Sequence, residues 1–348
     1  MTPARTDETG ALGPVAALRR IAFLLERGRE DTFKVQAFRK AAAAILPLPA
    51  DEVARLVEED RLTDLPGIGA SSGKVIADAV HGKVPDRLAA LEQEHAGPLA
   101  PGGRALRAAL RGDLHTHSDW SDGGSPVEEM ARTARDLGHE YVVLTDHSPR
   151  LTVANGLTPE RLRRQLDLVA EVNETLAPFR LLTGIEVDIL DDGSLDQSDE
   201  LLSRLDVVVA SVHSKLKMDA EAMTRRMVNA VANPHTDVLG HCTGRLVEGS
   251  RGTRRQSQFD AEQVFRACAD HGVAVEINSR TERQDPPDEL IDLANELGCL
   301  FAIDTDAHAP GQLDFLDHGA ARAAIRGLDP ERIVTTWPLD RLRTWLTR

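Results

Sequence analysis

The stretch Arg111-Gly112-Asp113-Leu114-His115-Thr116-His117 ends an apolar run in two histidines spaced i, i+2. On an extended strand that spacing sets both imidazoles on one side, whereas a helix would separate them. Six further runs end in the same manner: Tyr141 to His147, Arg180 to Ile189, Asp206 to His213, Asp237 to His241, Val273 to Asn278 and Cys299 to His308. Together they set His115, His117, His147, Glu186, His213, His241, Asp306 and His308 at or just beyond strand ends, with Asp122 in the loop after the first run. Helical stretches alternate with them at Pro126 to Leu137, Pro159 to Thr175, Met218 to Ala232, Ala261 to His271 and Pro287 to Leu297. This alternation predicts an α/β fold with parallel strands inside and helices outside. A parallel barrel projects its strand C-termini onto one face, so residues spread over about two hundred positions can converge there. The expectation is a barrel with a metal cluster at its mouth. Of the twelve histidines, six lie at these strand ends, while His81, His95, His139, His235, His271 and His318 fall in helices or turns and read as packed or surface residues.

At 348 residues the chain has room for two domains, or for one barrel with an appendage. No apolar stretch reaches transmembrane length, and the opening MTPARTDETG lacks the charged-then-apolar form of a secretion signal. A cytoplasmic protein with no membrane partner is expected. The cysteines Cys242, Cys268 and Cys299 are odd in number and lack CxxC spacing, which argues against a disulfide framework and a thiolate zinc site. A metal would be held by nitrogen and oxygen. The net charge of −15 disfavours a broad nucleic-acid-coating surface, because affinity for DNA comes largely from Lys and Arg replacing phosphate counterions. The acidity is uneven, however. Residues 1–112 carry 16 Lys and Arg against 15 Asp and Glu, leaving 25 against 41 for the remainder.

Residues 14–95 show helical periodicity and predict a compact all-α domain over 1–95. A Gly- and Pro-rich segment, Ala96 to Gly103, and a short helix, Arg104 to Leu110, form a linker over 96–111; the barrel is expected over 112–348. Within the first domain, Leu65-Pro66-Gly67-Ile68-Gly69 followed by Ser72 to Val80 fits a helix-hairpin-helix. Its glycines leave backbone N–H groups bare at a helix start, where they can contact phosphate without reading base sequence. Gly67 and Gly69, with Lys34, Arg39, Lys40 and Lys74, are the candidate DNA-backbone contacts.

The ordered motifs DLHTHSDWSDG, LTDHS, GIEVDI, SVHS, GH, EIN and DTDAH resemble those of the polymerase-and-histidinol-phosphatase (PHP) phosphoesterase family over about 112–348. The resemblance implies a distorted seven-stranded (β/α) barrel binding up to three divalent metals. One ion would be held by His115, His117, Glu186 and Asp306; a second by Glu186, His213 and His241; a third by Asp122, His147 and His308. A carboxylate such as Glu186 is needed to bridge ions about 3.5 to 4 Å apart. Mixed imidazole and carboxylate ligands suit Zn, Mn or Fe. The implied chemistry is hydrolysis of a phosphate ester by metal-activated water, with no covalent enzyme intermediate. Asp146 is a candidate acceptor orienting a neighbouring ligand, Arg245 and Arg280 are candidate phosphate clamps, and Asn278 is a candidate substrate contact.

The all-α segment, including Phe33 to Ala42, resembles the N-terminal DNA-binding domain of family X DNA polymerases, and the domain order matches bacterial members that end in a PHP domain. Those polymerases carry a nucleotidyl-transfer region between the two parts, where this chain has only a linker, so polymerase activity is not expected. Val75 stands where the family's lyase lysine would fall, so that activity is not expected either. The leading expectation is a metal-dependent DNA 3′–5′ exonuclease, or a nuclease processing 3′ ends or abasic sites in DNA repair. The alternative is a histidinol-phosphatase-like monoesterase acting on a small phosphate ester. A non-catalytic DNA-binding module would require a broken metal site, against which the complete ligand set speaks.

Overall fold

The computed structural model describes residues 12–249 and 252–347, in two compact units, Met1–Pro98 and Leu99–Arg348. In the first, helices α1 (Pro14–Arg27), α2 (Thr32–Ile45), α3 (Ala50–Glu58), α4 (Ala70–Val80) and α5 (Asp86–Glu94) follow one another. Leu18, Ile21, Leu24 and Leu25 recur at helical spacing and are fully buried, which makes α1 the centre against which α2, α4 and α5 pack. Asp31 starts α2 by accepting the Phe33 N–H at 2.7 Å. Gly67 takes φ +92° in the turn before α4, a conformation that costs a glycine nothing.

The second unit is a sheet of seven parallel strands in the order β1 to β7: Gly112–Thr116, Tyr141–Leu144, Arg180–Asp188, Val207–Ser211, Val238–Leu239, Ala274–Asn278 and Leu300–Asp304. Around it run α6 (Arg104–Ala109), α7 (Val127–Asp136), α8 (Pro159–Leu176), α9 (Asp199–Leu202), α10 (Ala220–Val231), α11 (Ala261–His271), α12 (Asp288–Glu296), α13 (Leu316–Ile325) and α14 (Leu339–Leu346). The sheet curls into a nearly closed barrel. Where β1 meets β7, a bridge joins Thr116 to Ala307, and the Asp304 carboxylate accepts the Leu114 N–H at 2.8 Å. No helix among the described residues is long and apolar enough to cross a membrane.

Strand alternation sorts the side chains. Leu114, Tyr141, Val143, Leu182, Val207, Val209, Val238, Ala274 and Ala302 fill the barrel interior, while their neighbours Val208, Ala210, Val275, Ile277, Phe301 and Ile303 pack under the outer helices. Trp337, Leu342 and Val334 close the lower end of that interior, and the Tyr141 hydroxyl donates to the Trp337 carbonyl at 3.0 Å. The inward register then continues upward into Glu186, Glu276 and Asp304, so the alternation that builds the core also delivers acids toward the mouth. A β-bulge between Asp113 and Thr116 shifts the β1 register against β2, which lets Leu114 stay in the core while His115 and His117 also face inward.

The strands are shorter than the apolar runs suggested. β5 has two residues, and His147, His213, His241, Asp306 and His308 all lie past their strand ends. Loops hold them, and the loops are braced. Arg226 of α10, 1% exposed, donates through Nε to the carbonyls of Ile189 (3.1 Å) and Leu190 (2.9 Å) and through Nη1 to that of Ser214 (2.9 Å), tying the segments after β3 and β4 together. Replacing it by leucine leaves buried carbonyls without donors, a cost of roughly 2–3 kcal/mol. Urea unfolding of Arg226→Leu should show that loss at unchanged m-value; a midpoint equal to the parent's would contradict the brace.

Candidate metal centre

Glu186, near the end of β3 and 1% exposed, lies at the middle of five imidazoles. Its Oε2 faces His115 Nε2 at 3.4 Å, His117 Nε2 at 3.6 Å and His147 Nδ1 at 2.8 Å. Its Oε1 faces His213 Nε2 at 3.1 Å and His241 Nε2 at 2.8 Å. Asp306 Oδ1 stands 3.3 Å from His117 Nε2 and 4.0 Å from His115 Nε2. At the rim, Asp122 Oδ1 lies 3.4 Å from His147 Nε2 and 3.3 Å from His308 Nε2. All nine side chains singled out as candidate ligands therefore meet in one cluster.

These approaches are not hydrogen bonds. His115 Nε2, His147 Nδ1, both carboxylate oxygens of Glu186 and both ring nitrogens of His117, His213 and His241 are buried without a hydrogen-bond partner among the described residues. Buried polar atoms left unpaired cost about 1–3 kcal/mol each, so this many lone pairs converging in one place fit divalent cations. Among the described residues, three groupings have ligand atoms within 4.8 Å of one another: His117, Asp122, His147 and His308; His115, His117 and Asp306; and His147, Glu186 and His213. The geometry thus places His147 between the rim and Glu186, and His241 reaches the cluster through Glu186 Oε1.

The electrostatics favour charged carboxylates. Burial alone would protonate Glu186, but His213, His115 and His147 outweigh it and hold its carboxyl well below the usual range. Burial likewise opposes charge on Asp306, where Arg283 and His117 prevail. Burial and the neighbouring His308 and His147 push His117 down to about 3, leaving it neutral with a lone pair to give. His147 goes the other way: against its burial, Glu186 and Asp122 raise it to about 10.

Other candidates fall differently. Asp146 touches no imidazole; its carboxylate accepts from Ser118 N (2.8 Å), Ser118 Oγ (2.6 Å), Ser121 Oγ (2.5 Å) and Gln165 Nε2 (2.6 Å), so it fixes the loop that carries Asp122 instead of orienting a histidine. Arg245 is turned away from the cluster, its Nε donating to the carbonyls of Gln284 (2.8 Å) and Arg283 (3.2 Å). Arg280 is at the site, with Nη1 3.2 Å from the Asp306 carbonyl and 3.1 Å from His308 Nδ1, while its Nε binds Glu282. Arg283, which sequence reasoning passed over, donates from Nε to Asp306 Oδ2 at 3.0 Å, and among the described residues its guanidinium makes no other hydrogen bond. Asn278 Nδ2 lies 3.3 Å from both Glu276 Oε2 and Asp306 Oδ2. Cys242 is packed in the core, where burial and then Asp285 push its thiol well up and keep it from acting as a thiolate.

In the first unit, the Arg39 guanidinium is closed in a buried pair with Glu26 at 2.6 Å, so it is a brace and not an open phosphate contact. Lys34 pairs with Glu30, and Lys74 with Asp78 and Asp86, at the surface. Val75 is buried in α4. Lys40 lies against Gly67, and Arg87, unnoticed in the sequence, lines a cavity of about 330 Å³ with Lys34, Gly69, Ser71 and Ser72.

Known proteins match both units. The PHP domain family description matches residues 113–280 and the helix-hairpin-helix domain description residues 13–83. The DNA polymerase/3′-5′ exonuclease PolX of Bacillus subtilis is 36% identical over 239 residues, which cover 69% of this chain and 41% of that protein. This chain therefore spans less than half the length of that relative. A protein of a Thermoanaerobacter species described as a probable phosphatase is 30% identical over 207 residues, 56% of this chain and 78% of its own length. Among solved structures, the histidinol phosphate phosphatase of Lactococcus lactis, complexed with zinc, L-histidinol and phosphate, aligns with a TM-score of 0.45 at 18% identity, covering 63% of this chain and 95% of that one.

Stripping the protein with a chelator should lower its Tm, and adding Mn²⁺ or Zn²⁺ at ~100 times Kd should restore about 2.7 kcal/mol per ion. In Glu186→Ala the restoration should shrink by more than half. Equal metal-dependent shifts in the two proteins, followed by calorimetry, would contradict the role of Glu186.

Proposed function

The chain belongs to the PHP-domain family of metal-dependent phosphoester hydrolases, and on that premise we propose that it is a nuclease-type phosphoesterase acting at DNA 3′ ends. The observation that carries this reading is the joining, in one chain, of a nine-residue oxygen and nitrogen cluster with a helix-hairpin-helix unit. The 36% identity over 239 residues to a protein described as a DNA polymerase/3′-5′ exonuclease supports it.

In this reading His115, His117, Glu186 and Asp306 hold one ion, Glu186, His213 and His241 a second, and Asp122, His147 and His308 a third. Bound divalent ions supply Lewis-acid activation of water and neutralise phosphate oxygens. The chain does the rest. Arg283, held through Nε by Asp306 and with its terminal nitrogens without a hydrogen bond among the described residues, binds a phosphoryl oxygen. Arg280 and Asn278 keep Asp306 in place. Asp122, Leu246, Glu248, Gly249, Arg280, Glu282 and His308 line a cleft of about 240 Å³, smaller than the ~300 Å³ lower bound of ordinary ligand pockets. Such a cleft admits a phosphoryl group and part of its carrier, which favours a chain end over the interior of a duplex. In the first unit, Lys40, Arg87 and Lys34 contact phosphates on the DNA strand; the Ile68 and Gly69 amides are instead occupied by the Leu65 carbonyl and Ser72 Oγ, so the expected bare amides do not lie at those two positions.

A second reading rests on the same cleft. Asp122, Glu248 and Glu282 set three carboxylates around Arg280, a lining that suits a compact phosphate monoester better than a polyanion.

Purified protein with Mn²⁺ should release nucleotides from a 3′-labelled strand. His115→Ala and Asp306→Ala should each lower that rate at least about 100-fold, since each removes a candidate ligand. Lys40→Glu combined with Arg87→Glu should raise KM for DNA about tenfold, because two phosphate contacts become repulsive, while leaving a small ester untouched. Turnover of histidinol phosphate with no nucleotide release would favour the monoesterase.

A further inference from the structure

Glu276 is a buried acid that opens the EIN motif but lies outside the nine-residue cluster. It sits in β6 between Val275 and Ile277, fully buried and pointing into the barrel. Its Oε1 lies 2.6 Å from His115 Nδ1, on the opposite side of the ring from the Nε2 that faces Glu186. Its Oε2 accepts the backbone N–H of His241 at 2.5 Å and lies 3.3 Å from Asn278 Nδ2, which in turn reaches Asp306. One carboxylate thus touches the ring of one candidate ligand, the backbone of a second and, through an amide, a third.

Resting on the metal-centre reading above, we propose that Glu276 is the positioning residue of the cluster, fixing the tautomer of His115 and the backbone of His241 so that both present ring nitrogens to the ions. The physical reason is the one-way character of a carboxylate, which only accepts hydrogen bonds. His115 must carry its proton on Nδ1 to meet Glu276, and that leaves the Nε2 lone pair free for a cation. An imidazole protonated on Nε2 could not coordinate from that atom. His241 has φ +21°, outside the ordinary regions for an L-residue, and such a conformation persists only where its surroundings fix it. The hydrogen bond from its amide to Glu276 is one such restraint. Acceptors of this kind are worth about 10- to 100-fold in metal affinity.

Glu276→Gln keeps the shape but replaces one acceptor by a donor, so either His115 changes tautomer or the His241 amide loses its partner. By chelator competition, the Mn²⁺ dissociation constant should rise about 10- to 100-fold, and most of that loss should vanish in a His115→Ala background, where the oriented ring is gone. Mn²⁺ binding by Glu276→Gln as tight as by the parent, or a loss fully additive with His115→Ala, would overturn the proposal. A parent that binds no Mn²⁺ would instead remove the metal-centre reading itself, and this proposal with it. The tautomer can also be read on the unsubstituted protein by long-range ¹H–¹⁵N spectra, with the His115 signals identified by their loss in His115→Ala. A proton on Nδ1 supports the proposal, and a proton on Nε2 overturns it even if the glutamine variant does not fold.

Discussion

A single buried carboxylate governs the chemistry of this barrel. Glu186 is 1% exposed yet held ionised, because its two oxygens face five imidazoles from four different strand ends. An isolated charge at that depth would be prohibitively costly. It is tolerated only where positive charge surrounds it, and the imidazole nitrogens that face it have no hydrogen-bond partner among the described residues. The remaining eight residues, and the register of every strand that brings them there, can be understood as the means of enclosing that carboxylate with cations.

The enclosure is kept in shape by groups that never face the ions. Asp146 fixes Ser118 and Ser121, and so the loop that carries Asp122. Arg226 ties together the segments after β3 and β4, on either side of His213. His241 and Asp306 both adopt positive φ, at +21° and +52°, a strain that the neighbouring hydrogen bonds of Glu276, Asn278 and Arg283 sustain. Below them the apolar interior is plugged by Trp337 and Leu342, so the polar layer rests on a packed floor and opens only at the mouth.

Much of this was legible in the chain. The i, i+2 pair His115 and His117 and the acids and histidines at the ends of apolar runs carried both the fold and the meeting of nine side chains, because strand period and barrel polarity are set by local sequence. What escaped notice depended on neighbours distant in the chain. The bulge in β1 leaves no mark in residue type, since Leu114 and His115 read as an ordinary alternation. Glu276 could have been found: a charge inside a strand covered on both faces has no water to face and must have a partner. Arg245 and Arg283 both lie in loops after strands, and only the folded loop shows which of them turns inward. Arg39 sits one helical turn from Val35 and Ala42 in α2, a spacing that marks the buried face, whereas Arg87 comes near Gly69 only through the packing of α5.

The chain joins a phosphoester-hydrolase barrel to a helix-hairpin-helix unit, and a cleft of about 240 Å³ lies beside Asp122 and His308. Anomalous X-ray scattering from crystals grown with Mn²⁺ probes the foundation of this account directly. It predicts at least two peaks flanking Glu186, one on the side of each carboxylate oxygen, about 3.5 to 4 Å apart. A fully loaded crystal with no peak in contact with Glu186 would contradict it.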